Sequence, residues 1–84
     1  MKEKIKQKFI KFGFPEEKSE EIAEGLLKGQ KLGFATPKDN PKLISLILLL
    51  RKFNFEVNVK KMEIKPHFAI VTIKLKGDEN GKIL

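Results

Sequence analysis

The densest apolar run in this chain is Pro41–Lys52, PKLISLILLLRK. Leu43, Leu46, Ile47 and Leu50 follow i, i+3, i+4, i+7, the spacing of one helical stripe. Asn40 suits the N-cap and Pro41 the first helical position. Arg51 and Lys52 stand in the last turn, where cations meet the negative end of the helix dipole. Ile44, Leu48 and Leu49 fall outside the stripe, so the helix is apolar on more than one side. The expected packing is a sheet on one side and a second helix, or another subunit, on the other. The run is too short to span a bilayer, which takes about 20 apolar residues.

Pro15–Lys28, PEEKSEEIAEGLLK, predicts a second helix. Pro15 opens it, Glu16, Glu17, Glu20 and Glu21 load its positive dipole end, and Gly29 is a natural residue just past its end. Its apolar face is Ile22, Ala23, Leu26 and Leu27. Gly25 inside the helix costs on the order of 1 kcal/mol against Ala, and close approach to helix 41–52 would explain it. Gln30–Thr36 alternates, with Leu32 and Phe34 on one side and Lys31 and Ala35 on the other, as a short strand does.

Phe53–Ile64 and Phe68–Lys76 predict a β-hairpin around Lys65-Pro66-His67. Pairing Ile64 with Phe68 sets Met62 opposite Ile70, Lys60 opposite Thr72, Asn58 opposite Lys74 and Glu56 opposite Lys76. On the other face Val59 meets Ile73 and Val57 meets Leu75. This register collects Phe55, Val57, Val59, Val71, Ile73 and Leu75 on one apolar face and makes a favourable Glu56–Lys76 pair. It leaves Met62, Ile64, Phe68 and Ile70 clustered on the outer face at the tip. Such a cluster calls for cover by the N-terminal segment or for a partner.

Residues 1–12 fit two elements. Ile5, Phe9 and Phe12 make a helical stripe, while Lys8–Phe12, KFIKF, fits a short strand. With the strand, the chain is a two-layer α/β sandwich of the α+β class, ordered β-α-β-α-β-β. Two helices would then lie on one face of a four-stranded sheet that ends in the C-terminal hairpin. The alternative is three helices followed by a β-hairpin. Either way 84 residues make one domain, with a core of about residues 8–76 and a tail, 77–84, carrying an Asn80-Gly81 turn signal.

Charge changes this picture in one respect. The net charge is +7, but residues 1–12 carry +4, residues 13–28 carry −3, and residues 29–55 and 56–76 carry +4 and +3. The acidic block is one helix. Seventeen of the eighteen basic residues are Lys and Arg51 is the only Arg, which weighs against sequence-specific DNA recognition. A Lys/Glu-rich composition also occurs in thermophile proteins. With no cysteine, disulfides, thiolate catalysis and Cys-ligated metal are excluded. The N-terminus has charge but no apolar stretch behind it, so a secretory signal is not expected and a cytoplasmic location is.

The order of elements resembles the sulfur-carrier family often called TusA or SirA-like. The resemblance runs from about Lys8 to Lys76. It rests on Gly13-Phe14-Pro15 opening the first helix, Gly29 leading a strand, Asp39–Pro41 before the second helix, and Phe55–Val57 opening the third strand. It implies the four-stranded sandwich. In that family a Cys-Pro-x-Pro motif carries persulfide sulfur. The matching residues here are Phe14-Pro15-Glu16-Glu17, and a phenyl ring cannot accept sulfur, so the family's chemistry does not carry over. A shorter resemblance covers Ile5–Leu27, where FGFP between two amphipathic stretches looks like the first two helices of a ubiquitin-associated domain; a hairpin has no place in that fold. A winged helix would follow from the three-helix alternative if Gln30–Thr36 is not a strand. Its recognition helix would then be PKLISLILLLRK, which has almost no polar face to read a major groove.

No residue set supports an enzyme, a metal site or a cofactor. His67, the lone histidine, reads as a turn residue, and the glutamates of the acidic helix as dipole complements. Two functional expectations remain. One is a non-enzymatic interaction module that binds a protein partner, or a second copy of itself, through Met62, Ile64, Phe68 and Ile70 together with Phe14. The other is a nucleic-acid binder that uses Lys60, Lys61, Lys65, Lys74 and Lys76, with Phe68 as a stacking platform.

Overall fold

The structure, a computed structural model, describes residues 1–76. The tail and its Asn80-Gly81 turn signal lie outside the described residues. The chain runs α1 (Lys2–Phe12), α2 (Glu16–Leu27), β1 (Leu32–Pro37), α3 (Pro41–Lys52), β2 (Phe55–Lys61) and β3 (Phe68–Leu75). The sheet is antiparallel in the order β1-β3-β2. The class is α+β, with three helices and a C-terminal hairpin, and with β1 as a third strand beside β3.

The expected four-stranded sheet is corrected to three strands, because residues 8–12 are helical. The reason lies in what α1 offers its neighbours. As a helix it stacks Ile5 and Phe9, four residues apart, into the core with no exposure. On an adjacent face it presents Lys2 and Lys6, again four apart, to α2. Lys6 Nζ lies 3.1 Å from Glu20 and 3.4 Å from Glu16, and Lys2 Nζ 3.3 Å from Glu24. In a strand the members of each pair would stand about 13 Å apart, at about 3.3 Å per residue, and the two sets would point to opposite faces instead of adjacent ones. The basic first block and the acidic second block of the sequence thus face each other.

α1 ends in a Schellman motif. Gly13, at φ 134°, donates to the Ile10 carbonyl, and the Phe14 N–H reaches back to the Phe9 carbonyl at 3.0 Å. α2 ends the same way: Gly29, at φ 93°, donates to the Leu26 carbonyl and Gln30 to the Gly25 carbonyl. Gly25 does not mark a close approach of α3, as the sequence led us to expect. A Cβ there would meet the side-chain amide of Gln30, whose Oε1 is 2.6 Å away.

α3 is capped as anticipated. The Asn40 side chain accepts from the Lys42 N–H at 3.0 Å, and Pro41 occupies the first turn. Leu43, Leu46 and Leu50 are buried. The helix that packs beside α3 is α1, rather than the Ile22–Leu27 face of α2. α2 contacts β3 and α3 contacts β2, which closes a core of Ile5, Phe9, Leu26, Leu46, Leu50, Phe55, Val71 and Ile73. Asn54 turns the chain from α3 into β2 at φ 69°, a left-handed conformation that Asn tolerates better than most residues.

The hairpin slips by two residues from the expected register. Val57 faces Ile73, Val59 faces Val71, and Glu56 faces Lys74 rather than Lys76. The cause is a β-turn with Pro66 in its second position, closed by the Phe68 N–H on the Lys65 carbonyl at 2.9 Å. The turn lengthens the connection beyond the three residues expected. Side chains alternate with period two, so a two-residue slip moves none of them to the other face.

Candidate interaction surface

β3 is the central strand, and its two faces differ. Ala69, Val71 and Ile73 point into the core. Phe68, Ile70, Thr72 and Lys74 alternate with them and point outward, away from the helices. β1 adds Pro37, Ala35 and Gly33 to the outer face, opposite Phe68, Ile70 and Thr72. β2 adds Lys60, Asn58 and Glu56, opposite Ile70, Thr72 and Lys74. Among the described residues no helix lies over this face.

The face grades from apolar to polar along β3. At the hairpin end Ile70, 40% exposed, sits between Ala35 and Lys60. Phe68 sits beside Pro37 and accepts the Met62 N–H at its carbonyl, 3.2 Å away, so Met62 extends the ladder past β2. The Lys65 ammonium lies 5.8 Å from the Phe68 ring centroid, within cation–π range. At the other end Lys31, Glu56, Asn58, Lys60, Thr72 and Lys74 line a shallow depression.

Four of the five residues expected to bind a partner belong to this end of the molecule. Ile70 and Phe68 are on the open face, Met62 continues it half-buried, and Ile64 stands 91% exposed in the hairpin loop. Phe14 is not with them. It lies between α1 and α2 on the helical side of the sheet, with its ring 5.6 Å from Phe9 and 5.5 Å from Phe34. Of the two alternatives for this cluster, cover by the N-terminal segment is not what α1 provides, since it packs on α2 and α3.

The expected basic set divides in the same way. Lys60 and Lys74 are on the outer face, and Lys76 follows one residue beyond β3. Lys65 is in the hairpin loop. Lys61 pairs with Ala69 and therefore projects from the helical side of the sheet. Sequence reasoning missed the contribution of β1. The alternation of residues 30–36 put Ala35 on the side away from Leu32 and Phe34, but nothing local said that this side adjoins Ile70.

Among the described residues no cluster of His, Cys, Asp or Glu is placed to hold a metal ion, and no helix is long and apolar enough to cross a membrane. Comparison with protein-family models, with curated proteins and with solved structures finds no match for this chain.

Proposed function

We propose that the chain is a non-enzymatic interaction module that receives a segment of another protein on the hairpin end of its open sheet face. The observation that carries this reading is the exposure of Ile70 beside Phe68, Met62, Ala35 and Pro37 on a face that no helix of the described residues covers. Single exposed apolar side chains are ordinary, whereas adjoining ones on an open face mark interaction sites. Lys60 and Lys65 border the patch, so the segment that fits it has apolar side chains flanked by carboxylates. This reading draws on the surface alone and not on the sulfur-carrier resemblance.

A photo-crosslinking residue at position 70 tests it, with one at Lys28, in the turn after α2, as control. The expected result is one or a few discrete protein adducts at position 70 that are absent from the control and lost on Phe68→Asp. Identical adducts at both positions would sink the reading.

Nucleic-acid binding is the second reading. It is favoured by Lys60, Lys65 and Lys74 on or beside the face that holds the Phe68 ring. Residues 1–28 carry a net charge of only +1, with Lys2 and Lys6 paired to Glu16, Glu20 and Glu24, so most of the net positive charge belongs to the rest of the chain. That reading requires measurable, steeply salt-dependent binding to a single-stranded oligonucleotide. No binding at low salt removes it.

A further inference from the structure

β2 forms one edge of the sheet, and among the described residues no strand pairs with its outer side. Its backbone groups point alternately inward and outward. The Asn54 carbonyl and Met62 N–H bond towards β3, at 3.0 and 3.2 Å, while the Val57 carbonyl faces outward and accepts Arg51 Nη2 at 3.2 Å. Phe55, Val57, Val59 and Lys61 therefore present their N–H and C=O groups to the open edge.

An apolar border runs along that edge. Ile44 and Leu48 lie on the helical row that continues to Arg51, and they are 66% and 62% exposed. Arg51 reaches Val57, which places the row beside β2. Val59 points to the helical side of the sheet and is still 45% exposed. Among the described residues these are the large apolar side chains of α3 and β2 that stand exposed.

We propose that this edge is a homodimer interface, at which a second copy adds its own β2 antiparallel across a two-fold axis. The charges of β2 argue for a second copy. Edge pairing requires outward-facing residues to oppose outward-facing residues, so the allowed registers differ by steps of two. The register centred on Asn58 sets Glu56 opposite Lys60 of the second copy and Lys60 opposite its Glu56. It also sets Val57 beside Val59 on the helical side, next to Ile44 and Leu48. One step to either side places Glu56 or Lys60 against Asn58. A further step sets Glu56 against Glu56 or Lys60 against Lys60. The strand is thus complementary to itself in one register, and opposite charges across strands are favourable while like charges are not.

Strand addition of this kind is a common mode of association, and two-fold dimers are the commonest assemblies. The Val57 carbonyl has two lone pairs, so it can accept the Val59 N–H of the second copy without releasing Arg51. The product is a six-stranded sheet with both open faces on the same side. Ile70 and Phe68 stay outside the contact, so the dimer and the open-face reading stand or fall separately.

Sedimentation equilibrium of the full chain tests the proposal, with far-UV circular dichroism to confirm folding. The wild type is expected to dimerise, and Leu48→Glu, on an exposed helix surface, to remain folded and monomeric. Glu56→Lys and Lys60→Glu should each weaken association about tenfold, and the double reversal should recover it to within about threefold, because it rebuilds both cross-strand pairs. A wild type that stays monomeric at about 1 mM overturns the proposal. So does a Leu48→Glu variant that dimerises like wild type, or a double reversal no stronger than the weaker single variant.

Discussion

The Phe14 ring packs edge-on against Phe9, with centroids 5.6 Å apart and planes at 68°. These are the two residues that a Schellman motif brings into hydrophobic contact across a helix end. Phe14 also meets Phe12 and Phe34, so one aromatic group ties α1, the turn before α2, and β1 together. The position that the sulfur-carrier resemblance aligns with a reactive cysteine is thus filled by a packing residue.

Two substitutions test this role. Phe14→Ala should cost about 1.5–3 kcal/mol, below the range for a fully buried Phe because Phe14 is half-buried. Gly13→Ala should cost about 1–2 kcal/mol, because φ 134° is strained for any residue with a Cβ, although space is open there. Urea unfolding at fixed pH measures both, and a neutral Gly13→Ala would contradict the turn geometry.

The α1–α2 ion pairs make stability depend on pH in a defined way. The hydrogen bond from Lys6 and then its charge hold the Glu20 carboxyl below its ordinary value, while the Glu20 hydrogen bond raises the Lys6 ammonium above its own. A lowered carboxylate contributes stability that is present above its unfolded pKa and is lost as pH falls through the folded value. A raised ammonium contributes stability that is lost only as pH rises through its folded value. Glu20→Gln should therefore melt below wild type at neutral pH, with the gap constant from about pH 6 to 8 and closing below about pH 4. Added salt should narrow it as well, because Glu20 is exposed. A gap that persists at about pH 2 would assign the effect to packing instead.

Gly25 offers a stabilising change. Ala in a helix interior is worth up to about 1 kcal/mol over Gly, and a Cβ at position 25 displaces only the flexible end of Gln30. Gly25→Ala should raise the melting temperature by a few degrees, and pairing it with Gln30→Ala should lose none of that gain. Destabilisation by the double variant would show that the backbone, not Gln30, needs the glycine.

The faces of β3 should respond differently to truncation. Ile73→Ala removes a fully buried side chain and should cost about 2–5 kcal/mol. Ile70→Ala, on the open face, should cost less than about 1 kcal/mol in the isolated protein. Equal costs would mean that something covers Ile70.

Much of the fold was legible in local pattern. The ends of α2 and α3 are written in Pro15, Gly29, Asn40 and Pro41, which act within one turn of themselves. The sidedness of the hairpin follows from alternation, which is why Val57, Val71 and Ile73 are where the pattern put them. Residues 8–12 were not legible, because KFIKF satisfies both periods. What makes α1 a helix is the burial of Ile5 and Phe9 in the core together with the match of Lys2 and Lys6 to Glu16, Glu20 and Glu24, facts about several segments and not one.

The candidate surface divides along the same line. By itself the sequence determined that Phe68 and Ile70 turn away from the core and that α3 is apolar beyond one stripe. The tertiary structure alone decided that β3 is central, that β1 brings Ala35 and Pro37 beside Ile70, that Phe14 is on the far side of the sheet, and that Ile44 and Leu48 border an open edge. The physical reason is that periodicity reports which side of an element avoids water. It carries no record of which other element lies against that side, and a two-residue slip or a change of neighbour leaves the pattern unaltered.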